Sequence, residues 1–303
     1  MEIELFPNQS INETIKSLKD GDTLILNDGI YFEKIIVRNS GILIKAKNKH
    51  KAIIQNKDYY HKIMDDNNEC NTFNTFTMYI WGNNIKLEGL IIENLSTPSS
   101  IYGQAVALHV DGTNFECNNC IIKSAQDTLF TGPLPDDLLI RYKGFYNKAR
   151  LLGKPSIQKY KNCDIIGDVD FIFGGATALF EKCNIISISR ESDTSAYICA
   201  PSHAKDLPYG YLFYECNLIG EGKTFLARPW RDYGCVAFIS CNLENHINPL
   251  GFDNWSNTNR DKTARFYEYS KNVDSSQRVG WSKQLTETEA ETYYEKFMKY
   301  ITN

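Results

Sequence analysis

Short alternations of apolar and polar residues recur along the chain, each ending in a Cys, then Asn or Asp, then aliphatic residues. They read FECNNCII, YKNCDII, FEKCNII, FYECNLI and FISCNLE, and LEGLII resembles the same unit with Gly89 in the Cys position. From Gly89 through Cys120, Cys163, Cys183, Cys216 and Cys241 the steps are 31, 43, 20, 33 and 25 residues. One strand-like unit repeated at unequal intervals predicts solenoid coils with loop insertions of variable length. Period-two alternation turns the Cys and the second apolar residue after it to the same side. The predicted fold is all-β: a single-stranded right-handed parallel β-helix whose interior stacks Cys on Cys and Ile on Ile. A β-sandwich is the competing architecture, but it needs Asn-Gly hairpin turns between units, and few are found.

Two helical patterns flank the array. SINETIKSLKDG offers Ser10 as N-cap, Glu13 three residues on, apolar Ile11, Ile15 and Leu18, and Gly21 as terminator. TETEAETYYEKFMKYI offers Thr286 and Glu289 as a second capping box. Both are expected to close the ends of the solenoid. No low-complexity linker divides the chain, so residues 1–303 are expected to form one domain.

Composition narrows the function. The 303 residues are 42% hydrophobic and 23% charged, enough for a sizeable core. A net charge of −4 gives no electrostatic reason to bind nucleic acid. No apolar run reaches the roughly eighteen residues of a membrane span, so no membrane partner is expected, and the chain is expected to be monomeric. The start, MEIELFPNQS, lacks the basic and apolar regions of a signal peptide. Nine cysteines without metal-finger spacing read as buried, reduced thiols. Cytoplasmic location fits both observations; a secreted, trimmed mature form is the alternative. Cys117-x-x-Cys120 sits at the start of a strand rather than of a helix, which favours packing over redox chemistry. The five histidines show no paired metal spacing, and His109 in AVALHV reads as packed. NLIGEGKT lacks the first glycine of a phosphate-binding loop, and no G-x-S-x-G elbow is present.

The carboxylates inside apolar runs remain to be explained. In GDVDFIFGG, alternation puts Asp168, Asp170 and Ile172 on one face and Val169, Phe171 and Phe173 on the other. Burying an ionised carboxylate is costly, which suggests that these acids have work to do. Asp127, in SAQDTLF, falls on an adjacent coil by the unit count, about 5 Å away in the stacking direction. Two carboxylates so close cannot both ionise easily, which suits one acid and one nucleophile or base. Arg228, in LARPWRDY, can fork around one aspartate and keep it ionised. Trp230 would share its face on a strand and offers either a sugar-stacking plane or simple packing. Gln104 in GQAVAL and Gln126 in AQDTL supply neutral amide donors suited to a developing oxyanion.

GQAVAL, QDTL, GDVDFIFGGATALFEKC and LARPWRDYG resemble, in order and context, the four signature segments of pectin methylesterases. NDGIYFEKIIV is similar to that family's first coil, and ARFYEYSKNV with RVGWSKQL to its C-terminal end. The resemblance implies a right-handed parallel β-helix that removes methyl groups from esterified galacturonate in pectin or oligogalacturonides, without metal or cofactor. It implies Asp170 as nucleophile, Asp127 as general acid and then base, and Gln104 and Gln126 as anion hole. It further implies that Arg228 orients Asp170, and that Trp230 and Phe173 contact the sugar. Asp168 departs from the family's usual uncharged residue. The 43 residues from Asp127 to Asp170 are about twice the family interval, which marks an insertion at about 131–156. Its Arg141, Lys143, Lys148, Arg150 and Lys154, with Tyr142, Phe145 and Tyr146, either cover the cleft and meet substrate carboxylates or form a solvated loop. Competing functions are a β-helix lyase or glycoside hydrolase, disfavoured by the order of the Gln, Asp, Asp and Arg segments, and an inert glycan-binding solenoid.

Overall fold

The computed structural model describes residues 1–65, 67–141, 156–188, 195–256, 258–271 and 273–302. Its strands pair in parallel into sheets of eleven, eight and seven strands. The chain visits the three sheets in turn and returns one rung further on, as with Phe115–Asn118, Ile121–Lys123 and Leu129–Thr131. This is the expected right-handed parallel β-helix, the hand that strand crossovers almost always take. Of the insertion, only its two edges are described; Tyr142, Lys143, Phe145, Tyr146, Lys148, Arg150 and Lys154 lie outside the described residues.

Parallel register turns the sequence repeat into interior columns. Ile122, Ile165, Ile185, Leu218 and Leu243 pair successively down one sheet. Tyr160, Phe180, Phe213 and Phe238 form a second column, with ring centroids 4.9, 4.5 and 4.6 Å apart and planes within 10° of parallel. The cysteines fill the corner between these sheets. The Cys183, Cys216 and Cys241 thiols donate to the carbonyls of Tyr160, Phe180 and Phe213 one rung back, at 3.2–3.4 Å. A small, weakly donating apolar side chain thus fills the bend and satisfies a buried carbonyl. All nine cysteines are buried, and none forms a disulfide.

The corner also corrects the alignment of the first unit. Leu87 pairs with Cys117 and Ile91 with Ile121, so Leu90, not Gly89, takes the Cys120 position. Gly89 occupies the left-handed corner, φ +68, which Asn119, Asn162, Lys182, Glu215 and Ser240 adopt in the other units. Glycine reaches that conformation without a Cβ clash.

The flanking helices differ in role. Helix Ile11–Ile15 closes the first end, with Ile11 and Ile15 inside the main core. The Ser10 hydroxyl accepts from the Glu13 amide as expected, but the return arm of the box comes from Glu33, which takes the Ile11 and Asn12 amides. Helix Glu287–Thr302 has the expected Thr286–Glu289 box, yet it does not close the second end. Its Ala290, Phe297 and Ile301 pack on Leu179, Leu212, Ala237 and Ile239, across the outside of the eleven-stranded sheet. Leu179, Leu212 and Ala237 are in register on successive rungs, and this outward apolar column draws the helix onto the sheet face.

Truncating Phe213, inside the aromatic column, should cost about 3–5 kcal/mol. Phe32, 57% exposed, should lose less than about 0.5 kcal/mol on the same change. Denaturant midpoints of Phe213→Ala and Phe32→Ala compare the two; equal losses would contradict a core organised around that stack.

Candidate active site

The outer face of the seven-stranded sheet carries the candidate site. Leu129 pairs with Ile172 and Phe130 with Phe173, so Asp127 and Asp170, each two residues earlier, fall on neighbouring rungs. The Asp127 amide donates to the Val169 carbonyl at 3.0 Å and ties those rungs together. Gln104 and Gln126 form a parallel bridge one rung further back. The groove over these residues has a volume of about 260 Å³. Gln104, Gln126, Asp127, Asp170, Phe173, Arg228 and Trp230 all line it.

Strict alternation does not survive at the centre. Asp170 has φ +49, and the pairing register shifts between Val169 and Ile172. This bulge turns Phe171 and Ile172 into the interior, while Phe173 joins the outer aromatic cluster. Ile172 therefore does not share the face of Asp170, and Phe173 does. Asp127 has the same left-handed backbone, φ +63, which Asp tolerates better than most residues. Trp230 reaches the groove from the segment after strand Thr224–Ala227, not from a strand face.

The two acids differ sharply in electrostatic setting. Arg228 Nε and Nη2 donate to Asp170 Oδ1 and Oδ2 at 2.8 and 2.7 Å, a two-pronged pair. The guanidinium lies between the rings of Tyr197 and Trp255, 3.7 and 3.9 Å from their centroids. Burial raises the Asp170 carboxyl, and the Arg228 bonds and charge oppose that rise. Asp127 has no such bonds among the described residues. Burial first and the neighbouring Asp170 second push it well above the carboxylate range, against the Arg228 charge. Of the pair, Asp127 is raised the more, which favours a proton there over one on Asp170.

Asp168, 3% exposed, points elsewhere. Its carboxylate accepts from the Ser99 hydroxyl and, at 2.6 Å, from the Val169 amide. It does not line the groove, and its charge adds a smaller upward push on both Asp127 and Asp170.

Aromatic contacts build the groove's wall: Phe73 on Phe130, Phe130 on Phe173 and Phe173 on Trp230, with centroids 5.3, 4.9 and 5.8 Å apart. Phe73, Tyr197 and Trp255 escape the sequence reading because they lie outside the repeated units. A Trp in the polar stretch FDNWSN is the one signal that points towards Trp255. His109 is packed, as expected, with its ring 4.6 Å from Phe130 and its Nε2 3.2 Å from Asp111. Among the described residues, no group of three or more His, Cys, Asp or Glu is placed to hold a metal ion.

The Pectinesterase family model matches residues 7–134 and 140–302. A putative pectinesterase 11 of Arabidopsis thaliana is 34% identical over 198 residues, covering 64% of this chain and 49% of that protein. A probable pectinesterase 8 of the same plant is 27% identical over 280 residues, 87% of this chain and 64% of that protein. The chain thus spans about half to two thirds of the length of these curated relatives. Among solved structures, pectin methylesterase PemA from Erwinia chrysanthemi superposes with a TM-score of 0.74 at 21% identity, covering 94% of this chain and 91% of that one. Pectin methylesterase from carrot gives 0.77 at 20% identity, over 99% and 96%. These two likenesses establish the shared fold. With its signature segments assembled on one groove and its sequence matched almost end to end, the chain belongs to the Pectinesterase family.

Proposed function

We propose that this protein hydrolyses methyl esters of galacturonate in pectin or oligogalacturonides and releases methanol. The observation that carries the reading is the pairing of two buried aspartates on adjacent rungs, only one of them clamped by a guanidinium. A pectin methylesterase of the same fold has been solved in complex with a hexasaccharide, which is in keeping with an oligosaccharide substrate.

In this reading an ionised Asp170 oxygen attacks the ester carbonyl, and the charge that develops on the carbonyl oxygen falls to the Gln104 and Gln126 amides. Collapse breaks the bond to the methoxy oxygen, which takes the Asp127 proton and leaves as methanol. An anhydride now joins the galacturonate acyl group to Asp170. Asp127, ionised by that transfer, accepts a proton from water as the water oxygen attacks the galacturonate acyl carbon. Asp170 departs as a carboxylate into the Arg228 fork, and Asp127 is protonated again. Net, ester and water give acid and methanol. Trp230 and Phe173 offer the apolar surface against which the sugar would lie.

Replacing Asp170 by Ala should lower methanol release from methylated oligogalacturonides by at least about 10³-fold. An inert glycan-binding solenoid predicts no turnover in the wild type either, and a lyase predicts unsaturated ends instead of methanol.

Asp127 also links stability to pH. Its folded-state pKa is raised above the ordinary 3.8, so the folded protein binds its proton more tightly than the unfolded chain does. The stability this confers is complete below 3.8 and is lost as pH rises through the raised value. Asp127→Asn should therefore be inactive yet more stable than wild type at neutral pH, the gap closing on acidification. Unfolding midpoints measured from acid to neutral pH check this, and a constant gap would refute it.

Tyr197 holds Arg228 without lining the groove. Tyr197→Leu should lower kcat about tenfold, the scale of one desolvated cation–π contact, with KM little changed. Steady-state kinetics on one defined oligomer separate the two, and a loss confined to KM would contradict a positioning role.

A further inference from the structure

Asp168 is a third carboxylate beside the groove, and the proposed reaction gives it no step. It is 3% exposed. Burying a charge is costly unless bonds offset it, and a third acid next to Asp127 and Asp170 adds repulsion to that cost.

The partners of this carboxylate point to its role. Oδ2 accepts from the Ser99 hydroxyl, and Oδ1 accepts from the Val169 amide at 2.6 Å. Both partners lead directly to residues of the groove. Val169 precedes Asp170, and its carbonyl accepts from the Asp127 amide at 3.0 Å. Ser99 opens the helical turn Ser99–Tyr102, and its carbonyl accepts from the Gly103 amide at 2.8 Å, with Gln104 next in the chain. The Asp168 backbone makes two further ties, each of 3.0 Å. Its amide donates to the Ala125 carbonyl, beside Gln126, and its carbonyl accepts from the amide of Tyr197, whose ring lies on Arg228. Any residue but proline could make the backbone ties. The side-chain ties need two acceptor oxygens at a fixed separation, which a carboxylate supplies and a single hydroxyl does not.

Gln104 is the groove residue that most needs such a tie. It belongs to no strand and meets Gln126 only through an isolated bridge. Gly103 before it has φ +66 and ψ −139, a backbone state open to glycine and strained for other residues. The turn Ser99–Tyr102 has Pro98 at its N-cap and no side-chain cap. Holding Ser99 therefore limits a swivel placed immediately before Gln104.

We propose that Asp168 is a positioning residue: with one oxygen on Ser99 and the other on Val169, it fixes the Gln104 amide relative to the Asp127–Asp170 pair. The inference rests on reading the groove as an esterase site, in which Gln104 meets the charge that develops on the ester carbonyl. Donors to such a charge are effective because they are in place before it forms. A donor on a loose turn would have to reorganise as the charge appears. Asp168 extends the register of the acid-bearing rungs to a segment that has no strand to set its own.

Steady-state kinetics of Ser99→Ala on one fully methylated oligogalacturonide test the role, because this change removes a hydroxyl and leaves every charge in place. kcat should fall about tenfold with KM within about twofold of wild type, the pattern of an interaction felt in the transition state. Asp168→Ala, which removes both arms, should lose about 10²-fold, and Asp168→Asn, with one carbonyl oxygen left to accept, should fall between. In a Gln104→Ala background, Ser99→Ala should cost less than about twofold, since the amide it positions is gone. Hydrogen exchange read by mass spectrometry is the second measurement, and it decides the matter even where Asp168→Ala fails to fold. The Gly103 and Ala105 amides should exchange at least about tenfold faster in Ser99→Ala, with those of strand Thr177–Glu181 unchanged. An unchanged kcat, the full loss persisting without Gln104, or unchanged exchange would each overturn the proposal. Should wild type release no methanol while the exchange rates still separate, the esterase reading falls and the Asp168–Ser99 strut stands.

Discussion

In-register parallel pairing is the constraint on which the rest of this structure depends. Each coil lays its residues directly over those of the coil before, roughly 4.8 Å apart. A repeat in sequence therefore becomes a column in space, as in the Tyr160–Phe180–Phe213–Phe238 stack. The same rule makes the pair of acids at the candidate site. Asp127 and Asp170 are 43 residues apart in the chain, yet pairing of Leu129 with Ile172 leaves no other place for them than adjacent rungs. Insertions change the length of a loop and not the register of the strands it joins, so the site tolerates the long segment that separates the two acids.

Adjacency alone would not differentiate the carboxylates; it would merely make both reluctant to ionise. Differentiation comes from Arg228, supplied two rungs beyond Asp170 and directed at it alone. A buried ion pair of this kind is weak evidence for stability, because both charges give up hydration to form it. Its worth is in specifying which acid keeps the proton. The Tyr197 and Trp255 rings reinforce the choice by leaving the guanidinium little freedom to turn towards Asp127. One cation, held on both faces, thus gives two chemically identical residues opposite characters.

How much of this was legible beforehand follows the same physics. The repeat, the fold and seven of the eleven described residues that line the groove arise from local pattern or from short segments. Features set by backbone exceptions were not legible. The bulge at Asp170 moves Phe173 to the acids' side and Ile172 inward, and no period-two rule foresees a left-handed residue in mid-strand. Gly89 was read as a substitute for Cys because the two positions are neighbours; only the pairing of Leu87 with Cys117 separates them. Helix Glu287–Thr302 was placed at the solenoid's end for want of any sign that Leu179 and Leu212 point outward. In a run such as ATALFEKC, inward and outward apolar residues look alike.

The charge distribution completes the picture. In the proposed reading the substrate is a polyanion once partly hydrolysed, and a chain of net charge −4 repels it at long range. Productive contact then requires that the groove itself present little negative charge. It meets that condition in two ways: burial pushes the Asp127 carboxyl towards its neutral form, and Arg228 pairs with Asp170. The groove approaches neutrality although it contains two acids. In that reading, catalytic asymmetry and tolerance of an acidic polymer have one origin. The guanidinium that sorts the protons also hides the charge.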